Sequence, residues 1–234
     1  MSTPDFRTRV AAEKRERMRT RLIEAALEVF TSKGVDATVI DDLIEQAQVS
    51  RGTFYNYFRT TEEVMEAVLR SVGNELLSLV EVAIADRADP AERLACGVRM
   101  VLRTARHFPH AGRFISRVGV TRSMEHMPAL GYLLRDLVEA TESGRFHLAD
   151  PMLGLDLVVG TTSAALLSLS MRSDLKEAYP QEITFHILLG LGMTRAAARK
   201  LVDKPIGAVQ LPPESLLMRT LHKLPQSTSA PKTA

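Results

Sequence analysis

The chain has 234 residues, 45% of them hydrophobic and 25% charged, with a formal net charge of +2. That is ordinary for a soluble globular protein of one large or two small domains, and so small a net charge says little about nucleic acid. The single cysteine, Cys96, excludes an internal disulfide and fits a reducing compartment.

The N-terminus carries Arg and Glu rather than an apolar run, so no signal peptide is expected. No stretch approaches the ~20 uninterrupted apolar residues of a membrane span. Residues 1–21 hold seven basic side chains (Arg7, Arg9, Lys14, Arg15, Arg17, Arg19, Arg21) against three acidic ones. Such an arm can embrace a phosphate backbone, or it can be a solvated terminus.

Apolar residues recur at three and four throughout, so the whole chain reads as helix. A first helix is predicted over 12–32, with Leu22, Ala25, Ala26, Val29 and Phe30 inward, ended by Gly34 in the left-handed conformation. Thr38 is placed to cap a second helix, with Asp41 in capping-box position. Leu43, Ile44 and Ala47 form that helix's inner face.

A third helix starts at Ser50, a natural N-cap, and runs to Phe58. Residues 49–58 hold four of the twelve aromatic residues of the chain. Phe54 and Phe58 share one face at i,i+4; Arg51 and Tyr55 share another, with Gly52 and Asn56 beside it. One side can dock on a core, and the other, small, polar and cationic, suits contact with nucleic acid. Two short helices across a tight gap read as helix-turn-helix.

Thr60 and Glu63 open a long fourth helix to about residue 85. Further helices are predicted over 89–107, 109–117, 128–142, 150–172 and 180–202, several of them opened by Pro. Residues 216–224 allow a short amphipathic helix, and the last ten residues read as disordered.

The stretch Ile23-Glu24-Ala25-Ala26-Leu27-Glu28-Val29-Phe30, then Gly34, Ala37-Thr38-Val39, Ala47, and Val49-Ser50-Arg51-Gly52-Thr53-Phe54-Tyr55-Asn56-Tyr57-Phe58, resembles the TetR/AcrR family of bacterial one-component transcriptional regulators. The match runs over about 17–76. Beyond it the likeness is one of length and helical character only.

The resemblance implies an all-α protein. A three-helix DNA-binding domain (16–76) follows a basic arm (1–15) and is joined by the long fourth helix to a helical ligand-binding and dimerisation domain (77–204). A Pro/Ser/Thr-rich tail (205–234) completes the chain. It also implies a cytoplasmic homodimer on double-stranded operator DNA, with no membrane partner, released by an unidentified small-molecule effector.

Carried over by residue, Arg51, Gly52 and Thr53, behind the Ser50 cap, match positions at base edges and nearby phosphates. Tyr55, Asn56 and Tyr57 match positions that contact phosphate or thymine methyls, and Thr38 matches a phosphate-facing helix start. Arg17 and Arg19 are expected to strengthen binding to all sequences.

Three positions depart from the family pattern. Gln48 stands where Gly is frequent and must take the turn conformation at a cost of about 1 kcal/mol. Thr60-Thr61 stand where a phosphate-touching Lys is frequent. Asp41-Asp42 suit the helix dipole but repel phosphate.

In the second half, Gly160, Ala164, Gly190 and Ala197 are small residues on the last long helices. They suit either the four-helix dimer interface that the resemblance implies or close packing within the chain. Candidate pocket residues are Cys96, Met100, Arg103, His107, Phe114, Arg117, Leu134, Leu137, Thr161, Ser163 and Phe185. Arg99, Arg103 and Arg106 recur at helical spacing. They could hold a carboxylate or acyl-thioester ligand, or form a solvated face with ion pairs to Glu92, Glu139 and Glu142.

No metal-ligand spacing, cofactor motif or paired nucleophile and base is visible, so neither metal, cofactor nor enzymatic activity is expected. The expected function is a ligand-released repressor, with an activator, or a ligand- or protein-binding member that has lost DNA recognition, as alternatives.

Overall fold

A computed structural model describes residues 6–107, 128–216 and 218, with side chains from Arg9 to Arg106 in the first stretch. The predicted helix over 109–117, the loop after it and nearly all of 216–224 lie outside these residues. Among the described residues every regular element is an α-helix. They fall into two compact units: the residues up to Val68 together with those from Pro212 on, and Leu69–Leu211.

The first unit starts with α1 (Phe6–Lys33). It begins well before the predicted residue 12, so the part of the basic arm from Phe6 on is helical. Gly34 ends it at φ +86°, a conformation that costs glycine nothing, and its N–H donates to Phe30 O at 3.1 Å.

The helix α2 (Ile40–Ala47) is capped one residue later than predicted. Val39 is its N-cap, and the Asp42 carboxylate accepts from Val39 N–H at 2.9 Å. Thr38 is buried and its hydroxyl donates to Gly34 O at 2.6 Å, which takes it away from the helix start.

Gln48 then turns the chain at φ 51°, ψ 50°, and α3 (Arg51–Tyr55) follows. It stops short of the predicted Phe58, and Tyr57 and Phe58 close on Phe54 O through their N–H groups. Leu22, Ala26, Val29, Phe30, Leu43, Ala47, Phe54 and Phe58 are buried in this unit.

The helix α4 (Thr61–Ile84) carries the division between the units. Thr60 Oγ1 accepts from Glu63 N–H at 3.2 Å. Glu63 reaches back to Arg59 N–H at 2.7 Å rather than to Thr60.

The second unit continues with α5 (Pro90–His107), α6 (Leu130–Glu142), α7 (Pro151–Met171), α8 (Tyr179–Gly190) and α9 (Arg195–Val202). Asp89 and Asp150 cap α5 and α7 as their position before Pro predicts. Leu94, Val98, Leu102, Leu137, Phe146, Val158, Phe185 and Leu188 form the centre of its core.

The single helix expected over 180–202 is two. Gly192 takes φ +89° and lies against His147, whose N–H donates to Leu191 O at 2.9 Å. A Cβ at Gly192 would come within 2.7 Å of His147 Cβ. Thr194 then caps α9 through Ala197 N–H at 3.3 Å.

The helix α7 is long and apolar enough to cross a membrane by length and composition, although Asp156 and the Thr161-Thr162-Ser163 run interrupt its apolar sequence. Leu155, Val158, Ala165 and Leu166 are buried. Leu153, Leu157, Leu167 and Met171 are exposed, Leu153 to 58% and Met171 to 72%.

Candidate nucleic-acid interface and ligand cavity

A five-residue helix has too few internal hydrogen bonds to persist alone, so α3 exists because its neighbours hold it. Ser50 Oγ accepts from Thr53 N–H at 3.0 Å. Phe54 is fully buried and Phe58 nearly so, their rings 6.2 Å apart; deleting either would cost about 3–5 kcal/mol. The guanidinium groups of Arg15 and Arg19 lie over the Tyr57 and Phe58 rings at 5.9 and 5.6 Å, which ties α1 to the segment after α3. Arg17 is exposed and pairs with Glu13 at 3.8 Å.

The outward face therefore consists of Ser50, Arg51, Gly52, Tyr55 and Asn56, all exposed, with Thr53 and Tyr57 half-buried. Tyr55 is 46% exposed, so its ring is not taken up by the core. Gly52 has ordinary helical backbone, and a Cβ there would meet nothing closer than Ser50 Oγ at 3.9 Å. The fold does not demand glycine at this position.

The two acidic residues of α2 behave differently. Asp42 is bound to Lys33 Nζ at 2.6 Å and to Val39 N–H. These bonds, the lysine's first, hold its carboxyl below the usual carboxylate range. Asp41 forms an ion pair with Arg51. Val39, the N-cap of α2, is exposed to 56%. Its apolar character hides that exposure in the sequence.

The second unit contains a partly open apolar cavity of about 200 Å³. Its walls include Leu69, Gly73, Leu77 and Val80 of α4, Leu94, Gly97, Val98 and Val101 of α5, Leu133 of α6, and Val159 and Leu166 of α7. Polar atoms enter from Tyr132, Thr162, Ser163 and the charged group Glu81, Arg93 and Asp136. Those charges are engaged. Arg93 donates Nε–H to Asp136 at 2.9 Å and pairs with Glu139. Arg135 joins Asp136 at 2.8 Å to Glu81 at 2.6 Å, and these carboxylates raise the Arg135 pKa.

Of the expected pocket residues, Ser163 lines this cavity. Cys96, Met100, Arg103, Leu134, Leu137, Thr161 and Phe185 do not. Phe114, Arg117 and the His107 side chain lie outside the described residues. The difference is one of helix rotation.

Leu94, Gly97, Val98 and Val101 turn one side of α5 to the cavity, and the arginine stripe lies on another. Arg99 donates to Lys204 O at 2.8 Å, Arg103 to Ile206 O at 3.4 Å, and Arg106 to Leu175 O and Lys176 O at 2.8 and 2.9 Å. The stripe thus reaches backbone carbonyls of the same unit. Burial raises the Cys96 thiol pKa. Phe185 is buried under Arg199, whose guanidinium lies 4.0 Å from the ring centroid.

The small residues divide. Gly160 and Ala164 are exposed on the same side of α7 as Leu153, Leu157 and Leu167, and a side chain at Gly160 would enter open space. At Gly190 a Cβ would come within 2.7 Å of Leu157 Cδ2, so packing within the chain already uses that glycine. Ala197 is half-buried.

The family model described as "Bacterial regulatory proteins, tetR family" matches residues 22–68. That described as "Tetracyclin repressor-like, C-terminal domain" matches residues 89–204. Together they span more than half of the chain. The chain belongs to the TetR family.

Among TetR-family relatives, it is 43% identical over 63 residues to the HTH-type transcriptional regulator SrpR of Pseudomonas putida, covering 27% of this chain and 30% of SrpR. It is 31% identical over 86 residues to the HTH-type transcriptional repressor KstR2 of Mycobacterium tuberculosis, covering 37% of this chain and 42% of KstR2. The chain spans no more than about half the length of the curated relatives it matches, from 30% to 50% for the first of them.

Among solved structures, RolR in complex with resorcinol aligns with TM-score 0.64 and 26% identity over 85% of this chain and 100% of RolR. FadR of Bacillus subtilis in complex with stearoyl-CoA shares the fold at TM-score 0.57 and 19% identity over 74% of this chain and 96% of FadR.

Proposed function

We propose that the protein is a sequence-specific DNA-binding repressor that works as a homodimer and leaves its operator when a small neutral molecule occupies the cavity of the second unit. The observation that carries the DNA-binding part is the exposed face of Arg51, Gly52, Tyr55 and Asn56 on a helix anchored by Phe54 and Phe58. Arg51 can donate two hydrogen bonds to a guanine. Thr53, Tyr57 and Asn56 hold the backbone, with Ser50 presenting the helix start and Val39 offering a methyl-bearing contact for thymine. Arg17 of α1 adds sequence-independent attraction. Thr38 leaves the set of proposed contacts, because it is buried and its hydroxyl is committed to Gly34.

For the effector, the cavity walls favour an apolar body, and the charged groups at the wall already satisfy one another. An anion would enter beside two carboxylates, Glu81 and Asp136, and one guanidinium group, Arg93, an unfavourable balance beside apolar walls. A neutral ring bearing hydroxyls can instead donate to Asp136 or Glu81. RolR, solved with resorcinol, supports that class. The cavity-lining turns of α4 continue into its first turns in the other unit, and that helix is the proposed route of the signal. Exposed Gly160 and Ala164, set among Leu153, Leu157 and Leu167, support dimerisation through α7.

The test is selection from a random-sequence duplex pool by the purified protein. Enrichment of a near-palindrome, with half-sites spaced to suit two recognition helices, is the expected outcome, and release of that duplex by resorcinol but not by benzoate follows from the cavity's charge. A pool that stays random after repeated rounds at low salt would sink the DNA-binding reading.

A further inference from the structure

We infer that Asp41 is a specificity-determining residue, acting by competing with DNA for Arg51; the inference rests on reading α3 as the DNA reader. The turn at Gln48 brings together two residues ten apart, and Arg51 Nη2 donates to Asp41 Oδ1. Their side chains are 63% and 67% exposed. A pair so open to water adds little to stability, so its consequence lies in what Arg51 must leave in order to reach a base.

The neighbouring carboxylate makes the contrast. Asp42 is held by Lys33 and by the Val39 N–H, and so serves the fold. The ion partner of Asp41 is the side chain best placed to read a guanine.

Two consequences follow for the encounter with DNA. On mixed sequence, Asp41 keeps the guanidinium occupied and withholds a cation from the phosphates. On a site with a correctly placed guanine, the bidentate contact to O6 and N7 outcompetes the carboxylate. The freed Asp41 then stands as a bare anion near the duplex, tolerated best where a cytosine amino group donates to it. Asp41 thereby penalises every sequence that lacks this arrangement, a selectivity gained by repulsion.

The experiment uses the full chain and two duplexes of equal length, one selected by the wild-type protein from a random pool and one of mixed sequence. Affinities are measured against salt for wild type, Asp41→Asn, Arg51→Ala and the double variant. Asp41→Asn should tighten mixed-sequence binding by about two- to fivefold, the scale of one exposed ion pair. The selected duplex should gain less, so that the ratio of the two affinities falls. The salt slope on mixed sequence should steepen by about one phosphate contact as Arg51 is released. With Arg51→Ala already present, Asp41→Asn should no longer add that phosphate contact to the salt slope on mixed sequence.

If Asp41→Asn tightens both duplexes equally while Arg51 is present, or changes neither, the inference is overturned and the DNA-binding reading stands. If the wild-type protein prefers no duplex, both are overturned.

Discussion

At the residue scale, the first unit contains a strained turn. Among the described residues Gln48 alone, glycines aside, has positive φ, and the left-handed conformation costs an L-residue about 1 kcal/mol that glycine avoids. Its N–H still donates to Glu45 O at 3.0 Å, and Val49 N–H to Ile44 O at 3.2 Å, so the turn is fixed by backbone bonds that glycine would keep. Gln48→Gly should therefore raise unfolding free energy by up to about 1 kcal/mol, read from urea midpoints, while leaving DNA affinity unchanged. A midpoint equal to or below that of wild type would show that the turn is not strained.

This strain is legible in the sequence, because a non-glycine residue between Ala47 and Val49 has to make the bend between two helices. The role of Thr38 is not. Its type suits a cap, but its burial sends the hydroxyl to Gly34 O, and only the packed structure reveals that competition.

At the element scale, the starts of α3, α5 and α7 are legible. Ser50, Asp89 and Asp150 accept from N–H groups two or three residues on, because a side-chain acceptor at a helix start satisfies an otherwise unpaired N–H. The break between α8 and α9 is less legible. Gly192 in a run rich in small residues suits a continuous helix as well as a bend, and the contact with His147 that decides between them is remote in sequence. The cavity is least legible, since the apolar part of α5 holds both cavity-lining residues such as Gly97 and Val101 and residues such as Leu102 that do not line it, and the neighbours decide which does.

The start of α2 yields a pH prediction. Lys33 and the Val39 N–H hold the Asp42 carboxyl below its ordinary value of 3.8. A carboxylate whose pKa is lower folded than unfolded stabilises the fold above the unfolded value, and that contribution is lost as pH falls through the folded one. Asp42→Asn should thus be less stable than wild type at neutral pH, with the gap in melting midpoint closing below pH 3.8. A gap that persists unchanged at pH 2 would assign the effect to the side chain's shape rather than its charge.

At the scale of the whole molecule, α7 carries five of the nine large apolar side chains exposed among the described residues. Its inner side carries Leu155, Val158 and Leu166 into the core, whereas Leu153, Leu157, Leu167 and Met171 face outward with Gly160 and Ala164 between them. A narrow stripe of that kind, too apolar for water and too small-sided to fill a core, suits a symmetric contact with a second copy of itself.

The wild-type protein should then scatter light as twice 25.9 kDa. Ala164→Arg replaces an exposed methyl, so each chain should fold with an unchanged helical spectrum. In the dimer two guanidinium groups would meet near the symmetry axis without partners, at a cost of several kcal/mol, and the variant should scatter as a monomer. Its affinity for a palindromic duplex should fall by more than about tenfold, since two tethered heads raise each other's effective concentration, while binding to a single half-site stays as in wild type. If Ala164→Arg remained dimeric with full palindrome affinity, α7 would not be the interface and its exposed stripe would need another partner.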